Sequence, residues 1–304
     1  METGSGARLL AKKILNKRRS EEGIYHQVYI KVVSHEARLP SLPDVAQKVR
    51  HAIADDSVGI REMARIIQAD PALAARIIRS ANSPLYRSSK PFNNVADAVK
   101  RMGTQATRNL VYSHSLAALF SFRQPVLRDI ANQVWQDSIE TAAIASVLAV
   151  YSHGVNSDKV MLAALLQDIG ALPLLVEISE NYPDLAKDAN AVKKIVDEYK
   201  SKVGFHLLKV WGFDDEFIEV ARSRDEWMRV GNEKLDVADV VLLARWHACI
   251  GKRQLSRLPR VIDMPAYQKF PVNMLSPEQS LQVLDYASDQ LKEITRMLGA
   301  SNLH

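Results

Sequence analysis

Leu162–Leu175 reads LAALLQDIGALPLL, and the Leu165-Leu166-Gln167-Asp168-Ile169-Gly170 segment at its centre decides how the chain is understood. Val160–Leu166 has the character of a buried helix that delivers Gln167-Asp168 into an apolar interior. A carboxylate among so many Leu and Ala side chains needs a cation, a hydrogen-bond donor or a metal. What Asp168 meets separates an enzyme from something else.

Working outward, the second half reads as helices: Ile130–Val150, long and alanine-rich; Asn190–Trp211, with Val192, Ile195, Val196, Tyr199, Val203 and Leu207 at helical spacing; then Phe217–Trp227, Val237–Ile250 and an amphipathic Pro277–Leu298. Asp158 is placed to cap the helix that ends at Leu166, and Pro173 and Pro183 are expected to break the stretch after Gly170. Gly251–Pro271 reads as a connector.

The first half is built the same way. Pro43 and Asp44 open a helix carrying Val45, Val49 and Ile53, and Ser57 is expected to cap the segment with Ile60, Met63, Ala64 and Ile67. Asp70-Pro71 starts Ala72–Ala81, and Asn82-Ser83-Pro84 ends it. Asn94 begins Val95–Met102, Gly103 closes it, and Thr104 is expected to cap a helix running to about Phe120. Helix–Gly–helix could suggest a DNA-reading pair with Arg101 and Arg108. The second helix has few charged side chains to reach bases, so packing explains it better. Strand-type alternation is nearly absent, and the fold class expected is all-α.

With 304 residues and a net charge of +5, the chain can form one large or two moderate domains and is only mildly basic. Cys249 is the single cysteine, so no intramolecular disulfide or multi-Cys zinc site is available; it reads as a buried thiol. The first twenty residues carry Arg8, Lys12, Lys13, Lys17, Arg18 and Arg19 and read as a solvated basic segment. No secretory pattern opens the chain and no uninterrupted apolar run of about 18 residues is seen, so no membrane span and a cytoplasmic location are expected.

Leu39–Pro43 (LPSLP), Ile66–Arg76 (IIQADPALAAR) with Ala81-Asn82-Ser83, Val95–Gly103 (VADAVKRMG), Trp135–Ser138 (WQDS), Leu165–Gly170 and the Val203-Gly204, Leu207-Leu208, Trp211 set resemble, in order and spacing, the landmarks of the HDOD domain. The resemblance covers Leu39–Val240. It implies a two-lobed helical bundle whose second lobe is like the HD phosphohydrolase superfamily, and a role in bacterial signalling. The organisation it suggests is a basic N-terminal extension at 1–38, an HDOD domain at 39–240 divided into lobes 39–123 and 124–240, and C-terminal helices at 241–304 packed on the second lobe.

HD enzymes hold one or two metal ions with His and Asp side chains from several helices. Carried over residue by residue, that set is replaced here. Asp137 stands where the WxHS-like segment has His, and Gln167 where the His-Asp pair has His, leaving Asp168 alone. Lys200 stands before Val203-Gly204, Arg224-Asp225 near the later His pair, and Arg245 near the late Asp. A neutral amide binds hard cations poorly, and Lys200 and Arg245 bring positive charge to a cation's place. Asp168 is expected either to pair with Lys200 or Arg245 or to cap a helix near Gly170.

The eight His are scattered, with no HExxH; His206 and His247 read as structural, with a metal pair the sharper alternative. No cofactor and no catalytic residue is assigned. Trp211, Phe213, Phe217, Trp227 and Met228 form an aromatic-rich region that is either core or a partner or ligand surface. The reading is a non-catalytic signalling module with a protein partner or small effector. One alternative is a divergent metal-dependent phosphohydrolase. Another, disfavoured, is a nucleic-acid binder using Arg76, Arg79, Arg87, Lys90, Lys100 and Arg101.

Overall fold

The computed structural model describes residues 23–34, 39–54, 60–86, 91–152, 154–250, 258–270, 285 and 288–298. Among them are helices, turns and loops with no strand. The first helix, α1, spans 23–33. It is followed by α2 (Asp44–Ala54), α3 (Ile60–Gln68), α4 (Pro71–Ala81), α5 (Val95–Met102) and α6 (Thr104–Leu119), then α7 (Pro125–Tyr151), α8 (Ser157–Leu166) and α9 (Ala171–Asn181). The chain continues through α10 (Ala189–Val210), α11 (Asp215–Ser223), α12 (Val237–Ala248), a short α13 (Pro265–Gln268) and α14 (Ser288–Leu298).

In the first lobe the punctuation read from sequence is made by hydrogen bonds. Asp70 accepts from the backbone N–H groups of Ala72 and Leu73 at 2.9 and 3.1 Å, and Pro71 occupies the first helical position, where no N–H is needed. Asn82 then clasps the backbone of Phe92, accepting from its N–H at 2.7 Å and donating to its carbonyl at 2.8 Å. Asn94 caps α5 through Asp97 N–H. Gly103 joins α5 to α6 at φ +82°, a left-handed conformation that favours glycine. Thr104 is the first residue of α6 rather than its cap, and no side chain caps that end. The Ser57 cap lies outside the described residues. Because α6 buries Leu110, Val111, Tyr112, Ser113 and Leu116 on more than one side, it is a core helix and presents no DNA-reading face.

The second lobe is organised by α7, 27 residues long. Its Ala142, Ala143, Ala145 and Ala149 are buried, and such small side chains let α8 and α12 approach its axis closely. Every residue from Val160 to Leu166 is buried. By length and composition Ser157–Asn181 is apolar enough to cross a membrane, but 94% of its apolar 18-residue window is buried inside the protein. It is the lobe's core.

Three local expectations are corrected here. Asn156, not Asp158, caps α8, accepting from Lys159 N–H at 3.0 Å. Pro173 does not break a helix: it sits in the first turn of α9, where its missing N–H would have no intrahelical partner anyway. The helix read as Phe217–Trp227 ends at Ser223, which releases Arg224–Trp227 into a turn.

The domain organisation also shifts. Helix α1, within the segment read as an N-terminal extension, packs on the domain: Tyr25, Val28 and Val32 are buried, and Tyr29 stacks on Tyr199 of α10 with ring centroids 4.7 Å apart. The basic residues before it lie outside the described segment. The boundary at 240/241 falls inside α12, which belongs to the second-lobe core. Helix α14 packs on α7 of the second lobe and on α6 of the first, and Arg76 of α4 donates to the Met297 carbonyl at 2.9 Å, so the C-terminal helix touches both lobes.

The aromatic-rich region joins the lobes. Trp211 Nε1 donates to the Pro40 carbonyl at 2.9 Å, and Phe213 lies 5.6 Å from the Tyr112 ring and 5.5 Å from that of Phe217. Trp211 and Phe217 are buried and Phe213 half-buried, so these three pack inside and are not an exposed interaction surface.

Candidate functional site

A cleft of about 680 Å³ opens on the second lobe, and all five positions singled out from the sequence line it: Asp137, Gln167, Asp168, Lys200 and Arg245. Helix α7 contributes Asp137. The turn between α8 and α9 contributes Gln167 and Asp168, α10 contributes Lys200, the residues after α11 contribute Arg224, Asp225 and Trp227, and α12 contributes Arg245. Three helices and two turns therefore converge on one point.

Gly170 makes that convergence possible. Its φ of −66° is ordinary, so the demand is for space. A Cβ there would lie 2.0 Å from the Lys200 carbonyl oxygen and 2.2 Å from the Gly204 nitrogen. Only glycine lets the start of α9 touch the α10 backbone, and that contact brings Asp168 beside Lys200.

Asp168 meets two cations. Arg224 Nε approaches Oδ1 to 2.6 Å, and Nη2 donates to Oδ2 at 3.2 Å; the Nε approach is an ion contact outside hydrogen-bond geometry, so the directed bond is the Nη2 one. Lys200 Nζ is 3.7 Å from Oδ1 and 2.9 Å from Asp197. Arg224 also donates to Asp225 at 2.7 Å. Arg245 lies 3.1 Å from Asp225, donates to the Arg224 carbonyl and stacks over the Trp227 ring at 4.6 Å.

The expected pairing of Asp168 with Lys200 is present, but the principal partner is Arg224. Arg245 acts one step removed, and Asp168 does not serve as a helix cap for α9, whose N-terminus has no side-chain cap.

Burial shapes the electrostatics. Asp168, Arg224 and Lys200 are 4%, 6% and 8% exposed. Isolated charges at that depth cost several kcal/mol each, about as much as their mutual attraction returns, so completeness of pairing decides the balance. Three carboxylates (Asp168, Asp197, Asp225) face three cations (Lys200, Arg224, Arg245). Burial pushes the Asp168 carboxyl up, but Arg224, Lys200 and Arg245 together outweigh it and hold it below the usual carboxylate range. Arg245 is brought down to about 10, by burial first and by the Arg224 charge second, and stays protonated at neutral pH.

These residues do not fit a catalytic metal. Asp168 is saturated by a guanidinium and an ammonium, and Gln167 offers a neutral amide. Among the described residues no group of three or more His, Cys, Asp or Glu side chains is placed to hold an ion. His206 is exposed on α10, whereas His247 is buried with Nδ1 2.7 Å from the Leu243 carbonyl oxygen, so they build no shared site. Gln167 is 1% exposed, and its Oε1 has no hydrogen-bond partner in the protein.

Cys249 is half-buried at the cleft rather than fully buried. Of the residues considered for nucleic acid, Arg76 and Arg101 are turned to the Met297 and Tyr86 carbonyls, and Arg87 and Lys90 lie outside the described residues.

Sequence reading missed the second ionic centre. Arg229 holds Glu219 at 3.0 Å and Asp236 and Asp239 at 2.8 Å, while Lys269 reaches Asp239 at 2.8 Å. The Asp236-Val-Ala-Asp239 spacing carried the signal, since the two side chains form a reciprocal capping box at the start of α12.

The HDOD domain profile matches residues 39–227. An uncharacterized protein of Treponema pallidum (strain Nichols) is 24% identical over 201 residues, covering 60% of this chain and 37% of that protein; the chain thus spans little over a third of that relative. Among solved structures, a protein from Shewanella amazonensis SB2B, named as a candidate metal-dependent phosphohydrolase, superposes with a TM-score of 0.77 at 27% identity over 91% of this chain and 99% of that one. An HDOD domain protein of unknown function from Geobacter sulfurreducens superposes with a TM-score of 0.64 at 20% identity, with the same coverage, a likeness of fold. With an all-helical fold and a profile match over well more than half of its length, the chain belongs to the HDOD domain family.

Proposed function

We propose that this chain is a non-catalytic module of bacterial signal transduction, working in the cytoplasm as a scaffold for a protein partner or small effector. One observation carries the reading: the Asp168 carboxylate is held by Arg224 and Lys200, where a phosphohydrolase of the HD type would use it as a metal ligand. A guanidinium cannot activate water as a metal ion does. The cleft keeps the shape of a ligand site while its chemistry is replaced by an internal ion lattice.

The second reading, a metal-dependent phosphohydrolase with a divergent site, draws on the name of the Shewanella protein. Purified protein loaded with Mn, Fe, Ni or Mg and offered cyclic dinucleotides and nucleotides separates the two. The scaffold reading expects no stoichiometric metal and no hydrolysis. Turnover abolished by Asp168→Ala would establish the enzyme instead.

A further inference from the structure

A second pocket, of about 260 Å³, lies between the C-terminal halves of α4 and α14, remote in sequence from the second-lobe cleft. Arg76, Arg79 and Arg296 line it, with Ser80 and Ser83 beside them. Among the described residues that line it the one carboxylate is Glu293, bonded to Arg296 at 2.9 Å. Three guanidinium groups against one carboxylate leave two positive charges uncompensated.

The donors are unfilled as well. Arg76 uses Nη2 on the Met297 carbonyl, and its Nε is buried with no hydrogen-bond partner; the Ser83 hydroxyl is buried and also without one. Arg79 makes no ion pair among the described residues. Burial, and then the Arg79 charge, push the Arg76 guanidinium below its ordinary pKa. Buried donors with no acceptor carry the full cost of desolvation, about 1–3 kcal/mol each, unless something fills the pocket.

The filling group must be an anion with several acceptor oxygens. A carboxylate brings one charge and two coplanar oxygens. A phosphoryl dianion brings two charges and a tetrahedral set of oxygens, which suits guanidinium forks arriving from two helices together with a hydroxyl. The volume falls just short of the range for whole drug-sized ligands, about 300–1,000 Å³, and matches a phosphoryl group with a few attached atoms. We infer that the α4–α14 pocket binds a phosphoryl dianion, either free or as the phosphomonoester of a small ligand, and so clamps the C-terminal helix onto the first lobe.

Calorimetric titration of the intact chain at constant ionic strength tests this, using inorganic phosphate, AMP as a soluble phosphomonoester, and adenosine as the control without phosphate. Binding of phosphate or AMP is expected, with adenosine silent. Arg79→Gln removes an exposed, unpaired side chain, and the affinity should fall by at least about tenfold. Lys193→Gln, in the other cleft, should leave it unchanged. AMP displaced by orthophosphate identifies a phosphomonoester ligand; orthophosphate binding alone identifies the free anion. Ser83→Ala, expected to weaken binding severalfold, replaces Arg79→Gln if that variant loses its helical circular dichroism. The proposal is overturned if neither phosphate nor AMP binds, if adenosine binds as AMP does, or if both pocket variants bind as the wild type.

Discussion

Arg224 Nε lies 2.6 Å from Oδ1 of Asp168, and both side chains are 5% exposed. A residue just past the end of α11 thus reaches the turn between α8 and α9, 56 positions earlier in the chain, and sets a guanidinium against the Asp168 carboxylate. Around this pair the second lobe closes.

Removing one partner should therefore be far worse than removing both. Asp168→Ala leaves the buried Arg224 with the half-exposed Asp225 as its directly bonded counter-ion, and a loss of about 3–5 kcal/mol is expected in denaturant unfolding. The double variant Asp168→Leu/Arg224→Met should recover most of that. A double variant as unstable as the single one would show that the pair is not the unit.

The pH dependence arises from the same contact. The folded pKa of Asp168 is below its usual 3.8, so its contribution to stability is fully present above that value and is lost as the pH falls through the folded pKa. Asp236 and Glu219, held down by their arginine partners, act in the same direction. The stability gap between wild type and Asp168→Asn should be widest at neutral pH and shrink steadily below about pH 4. A gap constant down to pH 2 would contradict this.

Metal addition should be silent in the wild type. Excess Mn²⁺ or Ni²⁺ added to chelator-treated protein is expected to leave its Tm unchanged, because Asp168 already carries two cations. The triple variant Gln167→His/Lys200→His/Arg224→His offers three imidazoles around Asp168 and should gain a metal-dependent rise in Tm. A rise in the wild type would reopen the enzyme reading.

Gly170→Ala should be severe for a single methyl group. The new Cβ would meet backbone atoms of Lys200 and Gly204, which cannot rotate away as a side chain would. Destabilisation of about 3 kcal/mol or more is expected, at or beyond the upper end of ordinary overpacking. Gly103→Ala has open space around it but a left-handed backbone, so its loss should be smaller, about 1–2 kcal/mol. Unfolding curves of the two variants give the comparison directly.

Helix placement was legible because its causes are local. Asp70-Pro71, Asn82 and Asn94 mark boundaries through hydrogen bonds spanning a few residues or a single loop. Where several candidates competed within one turn, local reading erred: Asn156 rather than Asp158 caps α8, and Pro173 is accommodated in a first turn. The aromatic group at Trp211–Phe217 left two readings open, since a ring that packs inside and one that faces a partner look alike in one dimension.

By itself, the sequence determined that this is an all-helical HDOD chain, and it placed Gln167, Lys200 and Arg245, none of them an HD-type metal ligand, at the positions expected to accompany Asp168. Helical period, capping and residue identity are written along the backbone. Which cation answers Asp168 was a tertiary decision. Lys200 and Arg245 were both plausible from their positions, but α11 ends at Ser223, and the turn after it carries the Arg224 guanidinium onto the carboxylate. Arg245 is drawn instead to Asp225 and the Trp227 ring. Ion pairing depends on a few ångströms of helix termination and close packing, and those were set by the space that Gly170 leaves between α9 and α10.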